Sequence, residues 1–158
     1  LERGGYYDRG KLSKFLQKWT TNTQKQNPFS IDYDPKRDPY TDLESAITLA
    51  QSQHKRILLE VGGDWCIWCS ILDRFFDTHP EVDEMLNEHY VVVKVNMSDE
   101  NDNLDFLSQF PEIPGYPHLF VLENDGSFLH SQGTGELEQG RWYDVEKIMQ
   151  FLKEWSSR

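Results

Sequence analysis

The sequence predicts an α/β fold: a central mixed β-sheet flanked by helices, carried by residues 41–158 behind an N-terminal extension at residues 1–40. Three observations lead there. The apolar runs Ile57-Leu58-Leu59-Glu60-Val61 and Tyr90 to Val95 have the length and β-branched content of buried strands. Segments with helical spacing of apolar residues precede, separate and follow them. Near the end, Asn124-Asp125-Gly126 between apolar runs is a strong hairpin signal, which adds an antiparallel pair to the alternating pattern.

Element by element, the extension is mostly polar. Leu12, Phe15, Leu16 and Trp19 have helical spacing, so Lys11–Trp19 reads as a short amphipathic helix. Asn27-Pro28, Asp34-Pro35 and Asp38-Pro39 then punctuate an extended stretch, in which Phe29, Ile31 and Tyr33 alternate as an edge strand would. Thr41-Asp42-Leu43-Glu44 has capping-box spacing, and Leu43, Ala46, Ile47 and Ala50 mark one face of a helix ending near Gln53. After the first strand, Gly62-Gly63 ends the run and Asp64-Trp65 leads to a helix opening at about Cys66. Its core face is Ile71, Leu72, Phe75 and Phe76. Thr78-His79-Pro80-Glu81 looks like a fresh capping box, followed by a second face of Val82, Met85, Leu86 and His89. Asp102–Phe110 reads as a short helix with Leu104, Leu107 and Phe110 inward, closed by Pro111, Pro114 and Gly115. His118–Leu122 is the third strand and Ser127–Ser131 its antiparallel return. Val145, Ile148, Met149, Leu152 and Trp155 line a terminal amphipathic helix.

Composition narrows the function. A chain of 158 residues suits one domain with a real core, and 9 Phe, 7 Tyr and 5 Trp argue against disorder. The net charge of −11 disfavours nucleic acid and anionic membrane surfaces as partners. No apolar run approaches the roughly 20 residues of a membrane helix, so a soluble chain without a membrane span is expected. The first residue is Leu, not Met, as in a mature form or a trimmed chain.

The two cysteines are Cys66 and Cys69, three apart. A disulfide scaffold spreads its cysteines along the chain, and a zinc site needs further ligands at matching spacing. His54, His79, His89, His118 and His130 are scattered without such spacing, so no metal is expected. An inert staple closing so short a loop would stabilise little. A CxxC pair whose first cysteine opens a helix has a specific chemistry instead. Free backbone N–H groups and the positive end of the helix dipole favour the Cys66 thiolate. Thiols so placed fall to about 3.5–7, against roughly 8.5 for free cysteine. Cys66 is therefore the expected nucleophile. Cys69, one turn on and more buried, is the expected resolving thiol. Trp65 and Trp68 would form an apolar contact surface around the sulfur.

The run Glu60-Val61-Gly62-Gly63-Asp64-Trp65-Cys66-Ile67-Trp68-Cys69 resembles the active-site segment of the thioredoxin superfamily, and Gly115-Tyr116-Pro117 its cis-proline loop. Asp64-Trp65-Cys66, the stretch from Asp77 to Val82, and Val95-Asn96-Met97 are similar to the C-terminal domain of the DsbD thiol:disulfide interchange family. The resemblance covers about residues 41–155 and implies a thioredoxin fold. It also implies roles. Glu60 would be a buried acid accepting the Cys69 proton, Asp73 a second acidic group supporting proton transfer, and Pro117 a cis-proline facing the cysteines. A cis bond there would leave the Tyr116 backbone free to pair with a substrate strand. Two positions depart from the thioredoxin pattern. Ile67-Trp68 stands where thioredoxin has Gly-Pro, and Tyr116 is bulkier than the usual Thr. Both positions tune redox poise and substrate choice.

The expected function is thus reduction or exchange of protein disulfides through Cys66 and Cys69, with no cofactor beyond their own redox-active disulfide. Protein or peptide disulfides would be substrates, and an upstream thiol system the electron donor. Two alternatives stand beside it: net oxidation, and a binding or chaperone-like module that keeps the fold without redox turnover. The missing Met and the DsbD-like resemblance point to an exported, periplasmic protein, although a CxxC pair serves equally well in cytoplasm.

Overall fold

The computed structural model describes residues 27–157. The helix expected over Lys11–Trp19 lies outside them. Asp38 opens the first long helix: its carboxylate accepts the Tyr40 N–H and the Thr41 hydroxyl, and Pro39 fills the first helical position, where no N–H is needed. Helix α1 runs Pro39–Gln53, and His54 ends it in the left-handed conformation, φ 56°. The cap is therefore Asp38 and not Thr41. The aspartate carboxylate takes both the first free amide and the threonine hydroxyl that was expected to do that work.

Strands β1 (Arg56–Gly62), β2 (Tyr90–Asn96), β3 (His118–Leu122) and β4 (Phe128–Gly133) form one sheet in the order β2-β1-β3-β4. β1 and β2 are parallel, with Glu60 opposite Lys94. Helices α2 (Ile67–Thr78) and α3 (Pro80–His89) make the crossover between them. β3 is antiparallel to β1, and β4 to β3 through the turn at Gly126, φ 89°. After the short helix α4 (Leu104–Leu107) and these strands come a small hairpin, β5 (Glu138–Gln139) with β6 (Trp142–Tyr143), and the terminal helix α5 (Val145–Glu154).

Strand alternation sorts the core into two layers. Ile57, Leu59 and Val61 of β1 point to one face with Val91, Val93 and Val95 of β2, under Ala46 and Ala50 of α1 and Phe106 of α4. Leu58 and Val92 point to the other, under Leu72 and Phe75 of α2, Val82 and Leu86 of α3, and Ile148 and Leu152 of α5. Tyr90 anchors the second layer, its hydroxyl donating to the Leu152 carbonyl at 2.7 Å. Glu60 and Lys94 continue the Leu58 and Val92 series, so two charged side chains are aimed at α2.

Three local expectations differ from the structure. Phe29, Ile31 and Tyr33 do not form an edge strand. Pro28 opens a 3₁₀ turn over Pro28–Ser30, whose Ser30 hydroxyl donates to the Val92 carbonyl; Phe29 and Tyr33 are buried at separate places and Ile31 is exposed. Thr78 caps nothing ahead of α3. It is the last residue of α2, and its hydroxyl turns back to the Arg74 and Phe75 carbonyls. The helix expected over Asp102–Phe110 is reduced to α4. Left-handed Asn103 (φ 47°) pins itself to the Asn96 carbonyl at 2.6 Å and resets the phase, so Phe106 is buried and Leu104 is 68% exposed.

Candidate active site

The end of β1 and the start of α2 build the site. Gly62 and Gly63 close the strand, and Cys66 is the N-cap of α2, with an extended backbone. Its sulfur accepts the Cys69 N–H at 3.2 Å, as an aspartate or serine oxygen does at ordinary helix starts. The helix opening thus surrounds that sulfur with positive potential. Both cysteines are free thiols and buried, Cys69 the deeper at 1% exposure against 5%. Burial first, and then the hydrogen bond with Cys66, push the Cys69 thiol well above its ordinary range. The two thiols therefore sit in different environments one turn apart.

Behind Cys69 lies a cluster of charged groups. Glu60 is 1% exposed, and neither carboxylate oxygen has a hydrogen-bond partner among the described residues. Burial, and then the nearby Asp73 charge, raise its carboxyl to about 7, with Lys94 pulling the other way. The Lys94 ammonium stands 3.8 Å from Glu60 and 2.7 Å from Asp73, which is one turn after Cys69 on α2. Burial lowers Lys94, but the two carboxylates outweigh it and hold the ammonium above its ordinary value. Burial likewise raises Asp73, against the pull of Lys94.

The apolar rim is uneven. Trp65 is 56% exposed, its indole N–H donating to the Met97 carbonyl at 2.7 Å and its ring standing edge-on to Tyr116. Trp68 turns inward and packs edge-on against Tyr143. The Tyr116–Pro117 bond is cis, and the Pro117 carbonyl accepts the buried Thr134 hydroxyl at 2.7 Å. Tyr116 packs with Trp68 against Cys66 and Cys69. Beside Trp65, an open cleft of about 590 Å³ runs past Met97 to Tyr33, with Asp64, Asp99 and Glu100 on its walls.

Of the residues singled out from the sequence, Trp68 and Tyr116 pack directly on the thiols; Glu60 and Asp73 meet at Lys94, and Trp65 meets Tyr116. Pro117 is placed by its neighbours Tyr116 and Thr134. Sequence reasoning missed three others. Lys94 was legible as a lone cation inside an apolar strand. Ile67, 76% exposed between the cysteines, reads in the sequence only as a departure from the Gly-Pro pattern. Tyr33 reads there as part of an edge strand, and nothing in its own segment marks it as a neighbour of Cys69. No group of three or more His, Cys, Asp or Glu side chains among the described residues is arranged to hold a metal ion.

A thioredoxin-like family model matches residues 38–124, more than half of the chain. The chain belongs to the thioredoxin-like family. Its mixed sheet flanked by helices is the thioredoxin-like fold. A disulphide isomerase from Xylella fastidiosa Temecula1 superposes with a TM-score of 0.67 at 27% identity, over 77% of this chain and 94% of that one. The C-terminal domain of Neisseria meningitidis DsbD, in its oxidised form, gives 0.55 at 18% identity, over 77% and 97%. Among curated proteins, the thiol:disulfide interchange protein DsbD of Pseudomonas fluorescens is 31% identical over 98 residues, 61% of this chain and 17% of the relative. Within the thioredoxin-like family the chain is thus DsbD-like. It spans about a sixth to a quarter of the length of the curated relatives it matches. No helix among the described residues is long and apolar enough to cross a membrane.

Proposed function

We propose that this chain is a thiol–disulfide oxidoreductase that reduces or exchanges protein disulfides through Cys66 and Cys69. The observation that carries the reading is the Cys66 sulfur standing as the N-cap of α2, with Cys69 one turn behind it beside a buried carboxyl. Cys66 attacks a substrate disulfide and forms a mixed disulfide, releasing one substrate sulfur as thiolate. Cys69 then attacks the Cys66 sulfur, closes the Cys66–Cys69 disulfide and releases the second substrate sulfur. The Cys69 thiol, raised by burial, needs a base for that step. Glu60, at about 7, is suited to take the proton near neutral pH, with Asp73 setting its charge environment.

Trp65 and Tyr116 are the contact surface for the substrate chain, with Trp68 supporting them from within and Pro117 fixing the loop. Residues 41–158 are the catalytic domain and residues 1–40 an extension whose described part packs on it. The likeness to DsbD supports an exported, periplasm-facing chain served by an upstream thiol donor, with no organic cofactor or metal.

An insulin-reduction assay tests this. Wild type turns over, Cys66→Ser does not, and Cys69→Ser accumulates a mixed disulfide. Equal slow turnover in wild type and Cys66→Ser would favour a thioredoxin-fold binding module. The reduction potential sets the direction: about −270 mV marks a reductant and about −120 mV an oxidant.

A further inference from the structure

The proton that leaves Cys69 has no closed hydrogen-bonded route to Glu60, and the residue standing in the gap comes from outside the matched family segment. Tyr33 precedes residue 38, where the family match begins. It is 4% exposed, in the same cluster as Cys66 and Cys69. Its hydroxyl has no hydrogen-bond partner among the described residues, and neither has either Glu60 oxygen. One donor and two acceptors thus stand buried without a closed hydrogen bond, with only the Lys94 ammonium facing Glu60 at 3.8 Å, which native interiors rarely tolerate without a purpose or a bridging water. The gap itself is kept open by Gly62: a Cβ there would overlap the Cys69 sulfur and stand 3.0 Å from the Tyr33 hydroxyl. Lys94 joins the cluster, its ammonium over the Tyr33 ring at 5.0 Å from the ring centre. The Tyr33 hydroxyl is near enough to stabilise the Glu60 carboxylate, although no hydrogen bond closes between them.

We propose that the Tyr33 hydroxyl is the positioning and relay group that carries the Cys69 proton to Glu60 during resolution. This rests on the function proposed above and assigns a part in it to the N-terminal segment. In the step, the Cys69 sulfur bonds to the Cys66 sulfur, and the bond from Cys66 to the substrate sulfur breaks. The bonding pair leaves with the substrate, which is reduced, while the two cysteines are oxidised to their disulfide. The Cys69 proton passes to the Tyr33 oxygen as the tyrosine proton passes to Glu60. Tyr33 ends neutral, Glu60 ends protonated, and the substrate thiolate draws its proton from solvent. The reverse sequence returns the proton to Cys69.

Tyr33→Phe in the full chain tests this, since it keeps the ring and deletes only the hydroxyl, which closes no hydrogen bond. Reduced wild type and variant are mixed with glutathione disulfide from pH 5 to 9, quenched in acid and resolved by mass into mixed and intramolecular disulfides. The first attack by Cys66, in which Tyr33 has no part, is the internal reference. Resolution in the variant is expected to slow by about 10- to 100-fold near pH 7 and to approach wild type at pH 9. A carbon-13 NMR titration of the Glu60 carboxyl, which needs no turnover, should move upward in the variant. Superposable pH profiles with an unmoved titration overturn the proposal. So does a uniform slowing of both steps at every pH, the mark of a merely structural residue. If wild type forms no disulfide with glutathione at all, the function proposed above fails, and the titration alone decides the Tyr33 contact.

Discussion

Lys94→Met is the sharpest probe of the charge cluster. Methionine keeps the length of the stem and removes the ammonium from between Glu60 and Asp73. At the 3.8 Å separation from Glu60, unit charges interact by about 4 kcal/mol at an effective dielectric of about 20. Both partners are nearly excluded from solvent, so screening reduces this little: the side chains are 8% and 1% exposed. One pKa unit corresponds to about 1.4 kcal/mol, so the cation alone holds Glu60 down by as much as about 3. Asp73 offsets part of the change. It loses the same cation at 2.7 Å, takes up a proton more readily and repels Glu60 less. The carboxyl should therefore move from about 7 to roughly 9, and its ionised fraction at pH 7 should fall from about half to about 1%. Glu60 would then be a poor proton acceptor, and resolution of the mixed disulfide should slow roughly fiftyfold at pH 7, recovering above pH 9. Carbon-13 titration of Glu60, paired with acid-quench kinetics from pH 5 to 10, reads both quantities. A titration unchanged to within about half a unit, or a neutral rate within about twofold of wild type, would refute the electrostatic reasoning.

Two further outcomes follow from the same geometry. Glu60 has a folded-state value of about 7 against 4.5 for an ordinary glutamate, so the folded chain holds its proton more tightly than the unfolded chain. Its contribution to stability is thus fully present below about pH 4.5 and is lost as pH rises through 7, by about 3 kcal/mol. Denaturant melts of Glu60→Gln should lack that decline and show the variant more stable at pH 8; a parallel decline in both proteins would count against a buried carboxyl. Gly62→Ala places a methyl against the Cys69 sulfur and the Tyr33 ring. It should cost about 1–3 kcal/mol of stability and slow resolution more than the Cys66 attack. An unshifted melt would mean that the gap is wider than it looks.

Much of this protein was legible in one dimension. Strand alternation and apolar runs are local, so β1, β2 and β3 could be read from 57–61, 90–95 and 118–122, and the Gly126 turn from its tripeptide. The Cys66 helix opening was legible for the same reason: a cap is a local arrangement, and the sulfur that accepts the Cys69 N–H belongs to the residue three before it. Where local signals compete, spacing alone does not decide between them. Asp38 and Thr41 both qualify as caps, and only the carboxylate that also takes the threonine hydroxyl wins. In the loop before α4, Asn103 resets the helical phase through a bond to Asn96, a partner that periodicity does not report.

Local spacing sets which chemistry the chain can carry: two cysteines one turn apart, an acid six residues upstream and a helix start to hold the first sulfur. Long-range packing sets what surrounds them. Lys94 meets Glu60 because two parallel strands fall into register, and Asp73 meets Lys94 because α2 packs across both. Tyr33 reaches Cys69 because a segment ahead of the family domain folds back over the glycine that ends β1. These are pairings between residues 21 to 36 positions apart. The free energy of a buried charge depends on every neighbour that burial brings to it, and no local spacing rule encodes those neighbours.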